Sequence, residues 1–251
     1  MIKPSHIVFE KQKKLDFPYF HFYVIMMNKS LQQLNDKIID CKKCPRLATY
    51  IHNIAKNKVK RFKHENYWGK PLPGFGDPNA ELLLIGLAPA AHGGNRTGRM
   101  FTGDNSGDWV AKVLYDHGFA TKPTSQRLSD GFNLINTYIT ATVRCAPPEN
   151  KPLKEEFDNC FSYLKEEFAI LKNVKVIVCL GKIAFDSCCK LLDIRHNKFV
   201  HGKSFTHKKW KIICSYHPSR QNTQTGRLKW SDWNKIFVLA NKTLDKNRNY
   251  N

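Results

Sequence analysis

The chain lacks any run of residues suited to crossing a membrane. Its one candidate, residues 17–27, falls short of the ~20 residues that a spanning helix needs. That stretch also contains Pro18 and His21, and Asn28, Lys29 and Ser30 follow it where a secretory leader would have small residues for cleavage. Neither a membrane partner nor secretion is expected. Internal repeats and low-complexity tracts are missing as well, which excludes a repeat array. Acidic residues are scarce: 21 Asp+Glu stand against 41 Lys+Arg, a formal net charge of +20. An excess of that size attracts a polyanion across a Debye length of roughly 8 Å. The basic residues run through the patterned part of the chain and are not confined to a tail, so nucleic acid is the leading partner.

With 251 residues and 41% hydrophobic content, the chain can bury one sizeable core. Met26 and Met27 directly precede the patterned region. Residues 1–29 are therefore read as an N-terminal extension, either genuine or a misassigned start, and residues 30–251 as one domain. Leu31, Leu34, Ile38 and Ile39 repeat at helical spacing and lead into Cys41. Continuous apolar runs at 82–86, 134–139, 174–180 and 210–214 have the character of buried parallel strands. Amphipathic stretches at 109–117, 153–171, 183–192 and 230–244 read as helices. Such alternation predicts an α/β fold, a three-layer α/β/α sandwich around a mostly parallel central sheet. The basic segment 55–64 carries one aromatic, Phe62, and suits a solvated loop or a DNA-facing arm equally well.

Eight cysteines in a chain of this size do not call for disulfides, which favours a reducing cytosol. Four of them form a pattern: Cys41 and Cys44 are two residues apart, and Cys145 and Cys160 follow after a long gap. Four thiolates from two separated segments can hold either zinc or a [4Fe–4S] cluster, and spacing does not choose between them. Cys179, Cys188, Cys189 and Cys214 fall inside apolar elements and read as small buried hydrophobes.

Two polar loops follow predicted strands, where ligands of parallel sheets bind. The first runs from Gly86 to Asp104 and holds small residues that let backbone approach a ligand closely. Within it, Phe101 between Gly98 and Gly103 offers a stacking face, and Asp104 a carboxylate that could orient water or simply cap the next helix. The second loop, 215–227, presents His217 ahead of Pro218, suited to donating a hydrogen bond to a leaving group that gains negative charge. Ser219, Arg220, Gln221 and Asn222 behind it suit phosphate contacts or filling a gap in a base stack.

Three motifs in order, GLAPAAHGGNRTGRMFTGD, VRCAPPENKP at 143–152 and HPSRQNTQTGRL, resemble those of the type-5 uracil-DNA glycosylases, a branch of the uracil-DNA glycosylase superfamily, over roughly residues 30–245. The resemblance implies an α/β/α fold, excision of deaminated bases from DNA, and a structural [4Fe–4S] cluster on Cys41, Cys44, Cys145 and Cys160. It implies a base pocket formed by Gly86, Leu87, Ala88, Phe101 and Ala141. Catalytic work falls to Asp104 and His217 with Asn150 as helper, and DNA contacts to Arg96, Arg99, Ser219, Arg220, Gln221 and Asn222. Many relatives carry a polar or acidic residue after the first-loop glycine, where this chain has Leu87, and type-4 enzymes carry a uracil-reading asparagine where it has Ala141. Both departures imply a looser pocket that accepts hypoxanthine or xanthine besides uracil. One pocket and one basic face need no second copy, so a monomer in a bacterial or archaeal cytoplasm is expected. Two rival readings stay open: a non-catalytic iron–sulfur DNA-binding module, which Leu87 permits, and a zinc-stabilised phosphodiesterase using His217 and Asp104.

Overall fold

A computed structural model describes residues 29–195 and 198–248. The extension assigned to residues 1–29 lies outside this range apart from Lys29. A helix α1 covers 29–39, and helix α2 covers Pro45–Lys56. The sheet strands are β1 (Phe75–Gly76), β2 (Leu82–Gly86), β3 (Thr137–Ala141), β4 (Val176–Leu180), β5 (Ser204–His207) and β6 (Trp210–Ser215). Between and after them lie α3 (Gly94–Thr97), α4 (Asn105–Asp116), α5 (Lys154–Ile170), α6 (Lys182–Leu192), α7 (Arg220–Gln224) and α8 (Trp230–Arg248).

The six strands form one sheet in the order β1-β3-β2-β4-β6-β5. The four inner strands β3, β2, β4 and β6 are mutually parallel, and the two edge strands run antiparallel to their neighbours. Because side chains alternate across a strand, each inner strand feeds two cores. Leu82, Leu84, Ile139, Val176, Val178 and Ile213 point to one face, where α4 and α8 contribute Val110, Leu114, Trp233 and Phe237. Leu83, Ile85, Tyr138, Ile177, Cys179 and Ile212 point to the other, against Ala184, Phe185 and Cys188 of α6. Helices cover both faces, giving the expected three-layer α/β/α architecture.

Three details differ from expectation. The second strand starts at Thr137, not Leu134, because Asn136 adopts a left-handed φ of 49° and Leu134 is drawn into a bridge with Ala120. The strand then runs on through Thr140, a buried polar residue that the apolar pattern hid. The edge strands β1 and β5 are short and only partly buried, so neither leaves an apolar signature. Segment 55–64 is not wholly a loop: Ala55 and Lys56 finish α2, Lys60–Phe62 forms a single 3₁₀ turn, and the Phe62 ring receives the Arg96 guanidinium at 3.9 Å.

Chain order places β3 on one side of β2 and β4 on the other, so the chain moves to one side from β2 to β3 and then crosses back past β2 to β4. The crevice beyond the carboxyl end of β2 is the topological switch point, where such sheets bind ligands. The loops after β2 and β6 both emerge at this end.

Candidate functional site

Phe101 sits on the floor of this crevice with a left-handed φ of 49°. Its ring lies over Gly86: a β-carbon there would stand 2.9 Å from Phe101 Cζ. Gly86 is thus required by close approach of the ring rather than by a turn. From the second loop, the His217 ring comes within 5.8 Å of the Phe101 ring, measured between centroids, at an interplanar angle of 32°. Asn105 Nδ2 reaches the Pro218 carbonyl at 3.5 Å and Thr223 Oγ1 at 3.4 Å, stitching the two loops together.

Asp104 is the N-cap of α4: one carboxylate oxygen accepts from the Gly107 N–H at 2.8 Å. The other lies so close to Gly93 that a β-carbon there would come within 1.8 Å of it. Burial raises the Asp104 pKa, opposed by the helix N–H groups. A carboxylate in that state is a better proton acceptor than a solvated one. His217 is half-buried, and desolvation lowers its pKa to about 4, so the imidazole is neutral at pH 7, with one ring N–H available to donate a hydrogen bond.

The pocket rim is set by main-chain pairing. The Gly86 carbonyl accepts from both the Thr142 N–H and Thr142 Oγ1 at 3.0 Å, and the Leu87 carbonyl from the Val143 N–H at 2.9 Å. Ala141, buried at the end of β3, pairs with Gly86 across the sheet. Ala88 packs at the edge of a small core that includes Cys145 and Cys160, with Cys44 beside it. Thr142 and Asn105 went unnoticed in the sequence, where nothing distinguishes a threonine or asparagine that bonds main chain.

Two of the expected DNA contacts require correction. Arg96 is buried and bonded to Glu65, to the His92 carbonyl at 2.8 Å and to the Gly103 carbonyl at 2.9 Å. Arg99 is likewise buried, paired to Asp130 at 2.9 Å and bonded to Ser125, Thr102 and several carbonyls. Both guanidinium groups are consumed internally and brace the first loop from beneath, so neither faces a phosphate. In the second loop, Ser219 caps α7 by accepting from the Asn222 N–H, and Asn222 Nδ2 turns inward to the His217 carbonyl at 2.8 Å. Arg220 and Gln221 are left exposed. Asn150 lies in a 3₁₀ turn at a left-handed φ of 58°, exposed and without a described hydrogen bond to Asp104 or His217.

Cys41 lies just past the end of α1 and Cys44 precedes Pro45 at the start of α2, while Cys145 follows β3 and Cys160 lies on α5. Among the described residues all eight cysteines are free, and no group of three or more His, Cys, Asp or Glu is disposed to hold a metal ion. The four patterned thiols are nonetheless neighbours: burial, reinforced by Cys160, Cys41 and Cys44, pushes the Cys145 thiol up, and burial, opposed by Arg144 and reinforced by Cys44 and Cys41, pushes up that of Cys160. Asn159 Nδ2 approaches Cys44 Sγ at 3.4 Å. Behind them, Arg144 and Glu167 form a fully buried ion pair at 2.7 Å that Tyr138 and Thr140 complete, joining β3 to α5.

Comparison with known proteins agrees with this geometry. The profile described as the uracil DNA glycosylase superfamily matches residues 73–243. A type-5 uracil-DNA glycosylase of Thermus thermophilus is 45% identical over 205 residues, 80% of this chain and 93% of the relative. Another, from Pyrobaculum aerophilum, is 42% identical over 193 residues, 77% of this chain and 84% of the relative. A type-4 uracil-DNA glycosylase of Archaeoglobus fulgidus is more distant, 28% identical over 223 residues, 85% of this chain and 95% of the relative. With the crevice, its two loops and these matches in place, the chain belongs to the type-5 uracil-DNA glycosylases of the uracil DNA glycosylase superfamily.

Proposed function

We propose that this chain is a monofunctional DNA glycosylase that flips uracil out of DNA and hydrolyses its N-glycosidic bond, leaving an abasic site. The observation that supports it most is Phe101 lying over a side-chain-free Gly86, with His217 at its edge: a slot for a flat base beside a neutral hydrogen-bond donor. Flipping costs a few kcal/mol of unstacking, offset by stacking on Phe101 and by main-chain groups around Gly86 to Ala91. As the bond from sugar to base nitrogen breaks, its electron pair goes to the base, and an imidazole N–H of His217 stabilises the resulting negative charge. Water adds to the cationic sugar carbon and loses its proton toward Asp104, whose second oxygen is not the one bonded to Gly107. The net charge of +20 draws the duplex in, and exposed Arg220 and Gln221 are the candidates for entering or bracing it. Asn150 is kept as a helper on the exposed rim.

Ala141 and Leu87 leave the pocket without a side chain that selects uracil, which supports acceptance of hypoxanthine and xanthine too. Cys41, Cys44, Cys145 and Cys160 would hold a [4Fe–4S] cluster. That all-cysteine set, gathered from three segments with an amide donor at Cys44, fits the group. When bound, such a cluster would cross-link the α1–α2 junction, the segment after Ala141 and α5, a structural contribution rather than a chemical one. A monomer acting on DNA in the cytoplasm satisfies this reading, and among the described residues no helix is long and apolar enough to cross a membrane.

The test is alkali-revealed strand cleavage of matched duplexes carrying a single uracil, hypoxanthine or xanthine. Cleavage at uracil and at a purine lesion is expected. Uracil alone would refute the open pocket, and no cleavage with lesion binding retained would leave a DNA-binding module.

A further inference from the structure

We infer that His201 is a positioning residue for His217, acting through a stacked trio with Tyr216 and Arg227 that fixes where the second loop leaves the sheet. The inference rests on the reading of His217 as the group facing the departing base. Tyr216 is the residue between the end of β6 and His217. Its ring lies against the His201 imidazole, with centroids 4.6 Å apart and planes at 15°. The Arg227 guanidinium carbon stands 4.5 Å from the centroid of the same ring. Two flat groups cannot share one face of a ring, so Tyr216 is held between a histidine from before β5 and an arginine from beyond α7.

The polar contact is more telling than the stack. The Tyr216 main-chain N–H donates to His201 Nδ1 at 3.1 Å. A peptide N–H can only donate, so Nδ1 must carry a lone pair and the ring proton must sit on Nε2. Burial lowers the His201 pKa and keeps the ring neutral, as the contact requires. His201 is itself anchored, since the Gly202 N–H donates to the Cys214 carbonyl at 2.9 Å and the Cys214 N–H to the Lys203 carbonyl at 2.9 Å. On the far side of His217, its carbonyl accepts from Asn222. The peptide carrying His217 is therefore pinned upstream by His201 and downstream by Asn222. Without the upstream pin, its ring is free to drift from the edge of Phe101.

His201→Phe keeps a ring to stack on Tyr216 but removes the acceptor, whereas His201→Asn restores an acceptor through its amide oxygen. Single-turnover excision from a uracil duplex, lesion-duplex Kd and thermal stability are measured for the full chain. Loss of one buried hydrogen bond predicts a rate about tenfold lower for His201→Phe. Kd should stay within about twofold, and His201→Asn should recover most of the rate. In a His217→Ala background, His201→Phe should cost nothing further. Additive losses in that background, or His201→Asn as slow as His201→Phe, would overturn the inference while leaving His217 in its role. A wild-type rate for His217→Ala would remove that role and the inference with it. On unmodified protein, imidazole ¹⁵N shifts must report His201 as the neutral Nε2–H tautomer. A charged ring or the Nδ1–H form refutes the contact even if His201→Phe does not fold.

Discussion

Substitution can separate the capping contact of Asp104 from the proton-accepting role proposed for it. One carboxylate oxygen caps α4 through Gly107, and the other lies against Gly93 of the first loop. Alanine removes both functions. Loss of an N-cap acceptor costs about 1 kcal/mol, which for a domain of this size lowers Tm by roughly 2–4 °C. Asparagine caps about as well as aspartate, so Asp104→Asn should melt within about 1 °C of wild type. It loses the charge, however, and with it the ability to accept a proton from water. A positioned general base is worth about 10²–10⁴ in rate, so both variants should fall by at least about a hundredfold in single-turnover excision while retaining lesion-duplex affinity. Gly93→Ala approaches the same oxygen from the opposite side. Its β-carbon would overlap the carboxylate, forcing it to rotate, and excision should fall with Asp104 still present. An Asp104→Asn protein that excises uracil within about threefold of the wild-type rate would show that the carboxylate serves the helix alone.

Four other outcomes are expected. Asp130→Ala leaves the Arg99 guanidinium buried with carbonyls but no counter-charge and should cost about 3 kcal/mol in urea unfolding; a loss under about 1 kcal/mol would mean that the first loop does not depend on this pair. The His217 pKa lies near 4 in the folded chain and about 6.5 when unfolded. Only the unfolded state takes up that proton between these values, so its contribution is complete above pH 6.5 or so and is lost as pH falls toward about 4. His217→Gln should flatten the stability profile in that window, and an unchanged profile would mean that the ring titrates normally. Ala141→Asn places an amide at the end of β3 and should lower hypoxanthine excision relative to uracil in the paired-duplex assay. An equal effect on both would deny Ala141 a part in selectivity. Cys145→Ser should abolish the visible absorption of a purified iron-loaded protein together with part of its thermal stability, and retained colour would assign the cluster to other ligands.

The inner strands and long helices were legible because burial on two faces demands continuous apolar runs for strands and a 3.6-residue stripe for helices. Leu82–Gly86 and Val176–Leu180 show the first, and Lys182–Leu192 the second. The strand from Thr137 is displaced from the apolar run because its threonines interrupt that pattern: the buried Thr140 hydroxyl is satisfied by Glu167 on α5, a contact with no local signal. Arg96 and Arg99 mislead for a related reason. In a basic chain an arginine in a glycine-rich loop looks like a phosphate ligand, but the acids that neutralise these two, Glu65 and Asp130, lie 31 residues away in each case, on opposite sides in sequence. His201 gives no signal in the sequence, being a lone histidine whose ring accepts from a backbone N–H 15 residues later.

The cysteine site and the base pocket are not separate modules. β3 ends at Ala141 in the pocket, and four residues later the same strand exit supplies Cys145. Between them, Thr142 and Val143 fasten the first loop at Gly86 and Leu87, and Arg144 plunges into the protein to meet Glu167 on α5, the helix that carries Cys160. Ala88 touches the cysteine-lined core from the pocket side. The proposed cross-link between Cys145 and Cys160 would therefore tie to α5 the far end of the segment against which the pocket loop is registered. Breaking it would loosen Gly86 beneath Phe101 without any electron being moved. For that reason, excision should track the integrity of the cysteine site in every cysteine variant while remaining indifferent to the redox potential of the solution; a rate that follows potential at constant cluster occupancy would contradict a purely mechanical coupling.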